Sequence, residues 1–249
     1  MKLTSIHKSL QIIEVLGKYP RGISLAQLSE ETDLNKSSIH HILSTLMPYE
    51  YVAQDPETRK YSLGFKFLQM GNITLENIDI RKIAHKYLIR LQADVNETVQ
   101  LAILRNGKVV YIDKIDKQDG LSIASYVGLS TDPHATGAGK VLLSSLSPQK
   151  IKQIYKGRPL RAYGKNTITQ INKLLTELQM IRDQGYALDD EEYYEAVRSV
   201  AAPVRAGGEI VAAITITGSI FTMPMQRIKS ELIRKVTQTA ERISSEMHW

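Results

Sequence analysis

The sequence contains no cysteine. That single absence excludes disulfides, thiolate nucleophiles, cysteine-ligated zinc and iron–sulfur clusters together. Long apolar runs are also missing, since no stretch approaches the ~18 residues a membrane-spanning helix needs. The opening Met1-Lys2-Leu3-Thr4-Ser5-Ile6-His7-Lys8 turns polar too soon for the apolar core of a signal peptide. A cytoplasmic protein without membrane contact is the resulting expectation. No internal repeat or low-complexity tract interrupts the chain. What is present is ordinary globular composition, 43% apolar and 23% charged over 249 residues. At ~150 residues per domain, that length corresponds to a little under two domains.

The formal charge of +6 is compatible with an anionic partner such as nucleic acid. Its distribution argues against reading too much into it. Residues 1–71 hold eight Lys and Arg against seven Asp and Glu. A nucleic-acid surface in this part must come from local arrangement.

Residues 5–18 read as a helix with the stripe Ile6, Leu10, Ile13 and Leu16, ended by Lys18-Tyr19-Pro20-Arg21-Gly22. Ser24 with Gln27 makes a capping box for a second short helix. A third spans about Asn35 to Met47. Its apolar stripe is Ile39, Ile42, Leu43 and Leu46, and its opposite face is centred on Ser37, His41 and Ser44, flanked by His40 and Thr45. Small hydroxyls and imidazoles on that face permit close approach to a surface. Asn35 and Lys36 stand at its N-terminus, where free N–H groups favour phosphate. Strands at 51–54 and 59–63 follow, joined through Asp55-Pro56-Glu57-Thr58.

Three helices and a hairpin is the order of a winged helix-turn-helix, whose last helix enters the major groove. A small helical domain packed on another protein has the same order. Adjacent His40 and His41 point ~100° apart and make no metal site. An apolar turn covers 63–71. A helix pattern runs from Ile78 to Gln92, suited to a linker, a dimer contact or the first helix of the next domain.

The remainder reads as mixed. Strands are expected at Thr98–Leu104, Lys108–Ile115, Leu121–Tyr126, Tyr186–Leu188, Val197–Val204 and Glu209–Thr217, with turns at Asn106-Gly107 and Gly207-Gly208. Helices are expected at Gly137–Ser145, Pro148–Tyr155, Ile168–Gln184 and Pro224–Glu246. The small residues from Thr136 to Gly139 can offer backbone N–H groups to an anion or make a tight packing junction. The P-loop frame is absent there. Ser199, Thr215 and Thr217 lie on neighbouring strands, where their hydroxyls either face a small oxygen-rich ligand or are satisfied by backbone. The acidic run 189–192 reads as a loop able to bond a ligand hydroxyl. Ser199 lacks a nucleophile elbow and His134 stands alone, so no catalytic residue, cofactor or metal is assigned.

Over nearly its whole length the chain resembles the IclR family of bacterial transcriptional regulators. The resemblance is carried by Leu34-Asn35-Lys36-Ser37-Ser38-Ile39-His40, by Asp55 through Gly64, and by Val109-Val110-Tyr111-Ile112-Asp113-Lys114. It continues in His134-Ala135-Thr136-Gly137-Ala138-Gly139-Lys140, Asn166-Thr167-Ile168, Gly185 through Glu191, and Val197 through Val204. It implies an α+β chain: a winged helix-turn-helix at 1–71, a linker helix region at 72–93, and a GAF-like effector domain at 94–249 with an antiparallel sheet flanked by helices. The implied function is a ligand-responsive, DNA-binding regulator of genes for uptake or catabolism of a small organic acid or aromatic compound. The alternative is a small-molecule sensor acting through protein docking.

The partners implied are double-stranded DNA with an inverted-repeat operator, a small organic effector, and a second copy in a homodimer or a dimer of dimers. DNA-contacting residues by this reading are Lys36, Ser37, Ser38, His40, His41, Thr45, Arg59 and Lys60. Effector-contacting residues are Thr136, Gly137, Ala138, Asp189, Ser199, Thr215 and Thr217. Three positions depart from the family pattern: Ser199 stands where Cys is usual, His41 where Arg is usual, and Glu50 where Gly is usual.

Overall fold

In the computed structural model, which describes residues 4–118 and 125–247, contacts divide the chain into two units, 1–77 and 78–249. The first is built on helices α1 (Thr4–Lys18), α2 (Leu25–Thr32) and α3 (Lys36–Leu46). The Ser24–Gln27 capping box starts α2, and Asn35 caps α3 by accepting from Ser38 N at 2.8 Å. Asp33, with φ of 56°, makes the left-handed turn between them. Ile39 and Leu43 of α3 close on Leu28, Ile23 and the α1 residues Ile12, Val15 and Leu16. The predicted α1 stripe is corrected here. Ile6 and Leu10 are more than half exposed, because Ile12 and Val15 supply the inner face instead.

The wing consists of β1 (Val52–Gln54) and β2 (Tyr61–Leu63), registered Val52 to Leu63 and Gln54 to Tyr61. The second strand begins two residues later than its sequence pattern. Arg59 takes φ of 57°, and Asp55 holds the tip by accepting from Glu57 N and Thr58 N at 3.1 and 2.7 Å. Those bonds keep the Asp55 carboxyl below its usual range. Ile23 bridges Tyr61 on the other side. Glu50, at the position where the family's glycine is expected, itself adopts φ of 59°. The expected apolar turn at 63–71 is a helix, α4 (Lys66–Glu76), which leaves Leu68, Met70 and Ile73 exposed.

In the second unit, α5 (Asp79–Val95) leads into a six-stranded sheet. Its strands are β3 (Thr98–Arg105), β4 (Lys108–Ile115), β5 (Ser130–Thr131), β6 (Ala187–Asp190), β7 (Val197–Ala206) and β8 (Glu209–Ser219). They lie in the order β5-β4-β3-β8-β7-β6, each pair antiparallel. The two-residue turns Asn106-Gly107 and Gly207-Gly208 have positive φ at both positions, as the right-handed twist of a hairpin favours. Of the strand expected at 121–126, residues 121–124 lie outside the described residues, and Ser125 and Tyr126 are not in a strand. The short β5 pairs with β4 instead.

Both faces of the sheet are covered. On one, α5 packs beside the C-terminal helical run of α9 (Met225–Arg227), a π turn (Ile228–Leu232) and α10 (Ile233–Glu246). On the other lie α6 (Gly137–Ser144), α7 (Pro148–Ile154) and α8 (Ile171–Gln184). The last begins three residues later than its apolar pattern. Thr167 ties the preceding segment down by accepting from Tyr163 N and Gly164 N at 3.0 and 2.9 Å.

Leu43 is fully buried at the centre of the helix-turn-helix. Leu43→Ala is expected to cost about 2–5 kcal/mol. Hydrogen exchange should register it as lost protection of α3 amides, with the sheet of the second unit unaffected.

Candidate nucleic-acid interface and effector cavity

Burial of Ile39 and Leu43 fixes which side of α3 looks outward. Lys36, Ser37, His40, His41 and Thr45 are exposed, and Ser38 is half-buried. The hydroxyls of Ser44 and Thr45 both bond His41 O, at 2.9 and 2.8 Å. Ser37 Oγ donates to Asn35 Oδ1 at 3.0 Å. These internal bonds hold small side chains against the helix and keep its outer surface low. Arg59 and Lys60 are exposed at the end of the wing turn. The outward surface of this unit thus carries small hydrogen-bonding groups on α3 and cations at Lys36, Arg59 and Lys60.

In the second unit the sheet register gathers a polar row. Asp189 on β6 lies opposite Ser199 on β7, and Ser199 lies opposite Thr217 on β8. Thr136 caps α6 by accepting from Gly139 N at 3.1 Å. The row and the start of α6 meet at a small cavity of about 40 Å³. Its lining includes Thr136, Asp189, Ser199 and Thr217, together with Gln100, Tyr111, Ser125, Thr131, Tyr193 and Tyr194. Gln100 links two walls, donating to Ser125 Oγ at 3.0 Å and accepting from Thr217 Oγ1 at 3.3 Å. Thr131 Oγ1 makes no hydrogen bond of good geometry among the described residues, although the Tyr111 phenol lies beside it.

The other expected effector residues fall differently. Gly137 presses on the same wall: a Cβ there would lie 2.9 Å from Ser199 Oγ. Gly139 is needed for packing, since its Cβ would lie 2.3 Å from Pro133 O. Ala138 is buried in the core between α6 and the sheet. Thr215 is buried one row further along β8, within 3.5 Å of Thr217 Oγ1, and is not among the lining residues.

Charge beside the cavity is unevenly paired. Lys140 is 1% exposed. Its amine donates to Leu188 O at 2.6 Å, reaches Glu177 at 3.3 Å, and pairs with Glu192. Arg198 turns to Asp190 at 2.7 Å and to Met223 O at 3.2 Å. Among the described residues Asp189 has no such partner. Its Oδ1 accepts from Glu192 N at 2.9 Å, and its Oδ2 has, among those residues, only a long contact from Ser199 Oγ at 3.4 Å. Burial, reinforced by the Glu192 charge, pushes the Asp189 carboxyl up to about 7. Burial also raises Glu192, despite Lys140. His134 is fully buried, bonded through Nε2 to Arg161 O at 2.9 Å, and burial holds it below the usual imidazole range. It serves as a structural link.

Sequence reasoning missed Gln100, Tyr111, Thr131, Tyr193 and Tyr194. Tyr111 and Thr131 are brought together by the pairing of β4 with β5, in which Thr131 lies opposite Val109, and Tyr193 and Tyr194 sit on the β6–β7 turn; each looks like an ordinary strand or loop residue until the register is known. Alternation along β3 does place Gln100 on the face of Thr98, Ala102 and Leu104, and a long amide beside two core-packed apolar residues was a usable signal.

A helix-turn-helix with a wing, and a separate antiparallel-sheet unit enclosing a polar cavity, define a sensory DNA-binding regulator by architecture. The comparisons give the family. Residues 5–56 match the IclR helix-turn-helix domain, and residues 72–245 match the family described as bacterial transcriptional regulator IclR C-terminal. The chain belongs to the IclR family of transcriptional regulators. It is 32% identical over 246 residues to the HTH-type transcriptional regulator KdgR of Escherichia coli (strain K12), covering 98% of this chain and 93% of that protein. Among solved structures, the Thermotoga maritima IclR superposes with a TM-score of 0.80 at 27% identity, covering 100% of both chains. An IclR homolog from Microbacterium hydrocarbonoxydans, crystallised with 4-hydroxybenzoate, has the same fold, with a TM-score of 0.84 at 18% identity over 98% of each chain.

The unpaired Asp189 makes a testable contribution to stability. Its folded pKa lies above the unfolded value near 4, so folding takes up a proton and the ionised form is disfavoured in the fold. Wild type should therefore lose stability relative to Asp189→Asn as pH rises from about 4 to about 7, with no further change above that. Urea unfolding of both proteins across this range measures the difference.

Proposed function

We propose that the protein is an effector-controlled DNA-binding regulator in which α3 reads the major groove and the cavity beside Asp189 receives a small organic acid or aromatic compound. The observation that carries this reading is the exposed polar face of α3, held outward by burial of Ile39 and Leu43. Ser37, Ser38, His41 and Thr45 address base edges, His40 flanks them, and Lys36, Arg59 and Lys60 neutralise phosphates. Each good base contact contributes about 1–3 kcal/mol of discrimination. One short helix therefore gives modest specificity, and two copies on an inverted repeat give a useful amount. Exposed Ile6 and Leu10 on α1, with Phe65, Leu68 and Ile73 at and along α4, support self-association through the first unit. The reading places the protein in the cytoplasm as a homodimer or dimer of dimers, controlling genes for uptake or catabolism of its effector.

The effector reading is supported by hydroxyl, amide and carboxyl groups converging with three tyrosines on one cavity. At about 40 Å³ that cavity holds only a water or two. Admission of an organic acid requires a wall of the cavity to move, and this reading assigns that role to the turn carrying Tyr193 and Tyr194. That turn has positive φ at both ends, at Glu191 and Ala196. An effector that favours one arrangement of this wall would shift DNA affinity by its differential affinity for the two states. The 4-hydroxybenzoate held by a structural relative makes aromatic carboxylates reasonable first compounds to screen.

Three outcomes are expected in mobility shifts on the protein's own upstream region. Wild type forms a sequence-selective complex that weakens steeply with salt. Arg59→Ala weakens binding to all sequences alike and lowers the salt slope by about 0.9, as loss of one phosphate contact should. His41→Ala instead relaxes discrimination at one operator position. A complex lacking sequence preference at every salt concentration would favour protein docking over DNA reading.

A further inference from the structure

The cavity wall contains a carboxyl group and, among the described lining residues, no lysine or arginine. Lys140, whose charge acts on Asp189, is spent on Glu192, Glu177 and Leu188 O, and the Lys114 amine beside the wall donates to Ser125 O at 2.7 Å. A carboxylate guest entering beside ionised Asp189 would set two like charges within a few ångströms at a carboxyl that is itself buried, which is strongly unfavourable. A protonated Asp189 reverses the sign of that contact, because its O–H becomes a donor. Oδ2 is the oxygen free to carry the proton, since Oδ1 already accepts from Glu192 N.

We propose that Asp189 meets the effector as a neutral acid, so that the site selects a carboxylate-bearing compound and takes up a proton as it binds. This rests on the cavity being the effector site. The guest carboxylate accepts one hydrogen bond from Asp189 and others from hydroxyls of the wall, with the start of α6 adding its positive end. No covalent bond forms or breaks, and the proton comes from solvent whenever the free protein is ionised.

Among the groups facing Asp189, Glu192 is a second buried acid that burial raises, and its pairing with Lys140 sets it apart from Asp189. From α6 there is Lys140, permanently engaged; from the β6–β7 turn, Glu192 and Tyr193; from α8, Glu177 behind Lys140. From β4 comes the Tyr111 phenol, which burial raises and keeps neutral, and from β7 the uncharged Ser199. The titration of Asp189 near 7 puts the effect in an accessible range.

The test is calorimetric titration of the full chain with benzoate and lactate, and with benzamide and lactamide as their uncharged counterparts, at several pH values between about 6 and 8. The carboxylates are expected to bind about tenfold more weakly at the upper pH than at the lower. Repeating the upper-pH titration in buffers of different ionisation heat should show about one proton absorbed per carboxylate bound. The amides should show neither effect. Asp189→Asn, whose amide can donate without titrating, should bind the carboxylates with no dependence on pH. Carboxylate binding that is flat with pH in wild type, or a slope that survives in Asp189→Asn, overturns the proposal and leaves the effector site standing. Failure of both carboxylates to bind at the lower pH overturns the proposal together with the assignment of this cavity as a carboxylate site. The mobility shift judges the DNA-binding reading separately.

Discussion

The second unit is organised around a lysine that has no access to water. Lys140 lies inside the first helix after the β5 segment, and burying its charge unpaired would cost several kcal/mol. The chain answers from three places: the Leu188 carbonyl on β6, Glu192 on the following turn and Glu177 on α8. One amine thereby ties α6, α8 and the edge of the sheet together. The arrangement also consumes the local positive charge. Asp189, next to the carbonyl that Lys140 binds, is left as the surplus carboxyl, and burial does to it what burial does to any unpaired acid.

The first unit works with different economies. Its net charge is close to neutral, so affinity for DNA cannot come from a general field. It depends on where a few groups are held. Three non-glycine residues with positive φ, Asp33, Glu50 and Arg59, punctuate the chain at the turn into α3, at the entry to the wing and at the end of its tip. Each costs on the order of 1 kcal/mol in backbone preference. Packing of Ile23, Leu28, Ile39, Leu43 and Tyr61 into one small core holds those turns in place.

Much of this was legible in the chain. The Ser24–Gln27 box, the Asn106-Gly107 and Gly207-Gly208 turns and the amphipathic α3 follow from local chemistry, and each appears as that chemistry dictates. The α1 stripe shows where local reasoning fails: two apolar sides exist on that helix, and only the tertiary core decides that Ile12 rather than Leu10 turns inward. The α4 helix was hidden for a related reason. None of its side chains is buried, so its apolar residues follow no core-facing period. In the candidate site, Asp189, Ser199 and Thr217 were reachable from strand alternation and the family resemblance. Thr215 was not separable from Thr217 by a two-residue period alone, because cavity depth, not face, distinguishes them.

The sequence by itself determined the class of protein: the order of elements, the small polar face of α3, the glycine-rich start of α6 and the acidic run from the end of β6 into the following turn are all local patterns. Only the tertiary structure decided which groups work together. Tyr111, Gln100 and Tyr193 come to one cavity from distant segments, and the Lys140 charge is directed away from it. The physical reason is that a side chain's direction follows from local backbone geometry, whereas its electrostatic surroundings depend on which distant strand or helix the buried core sets beside it.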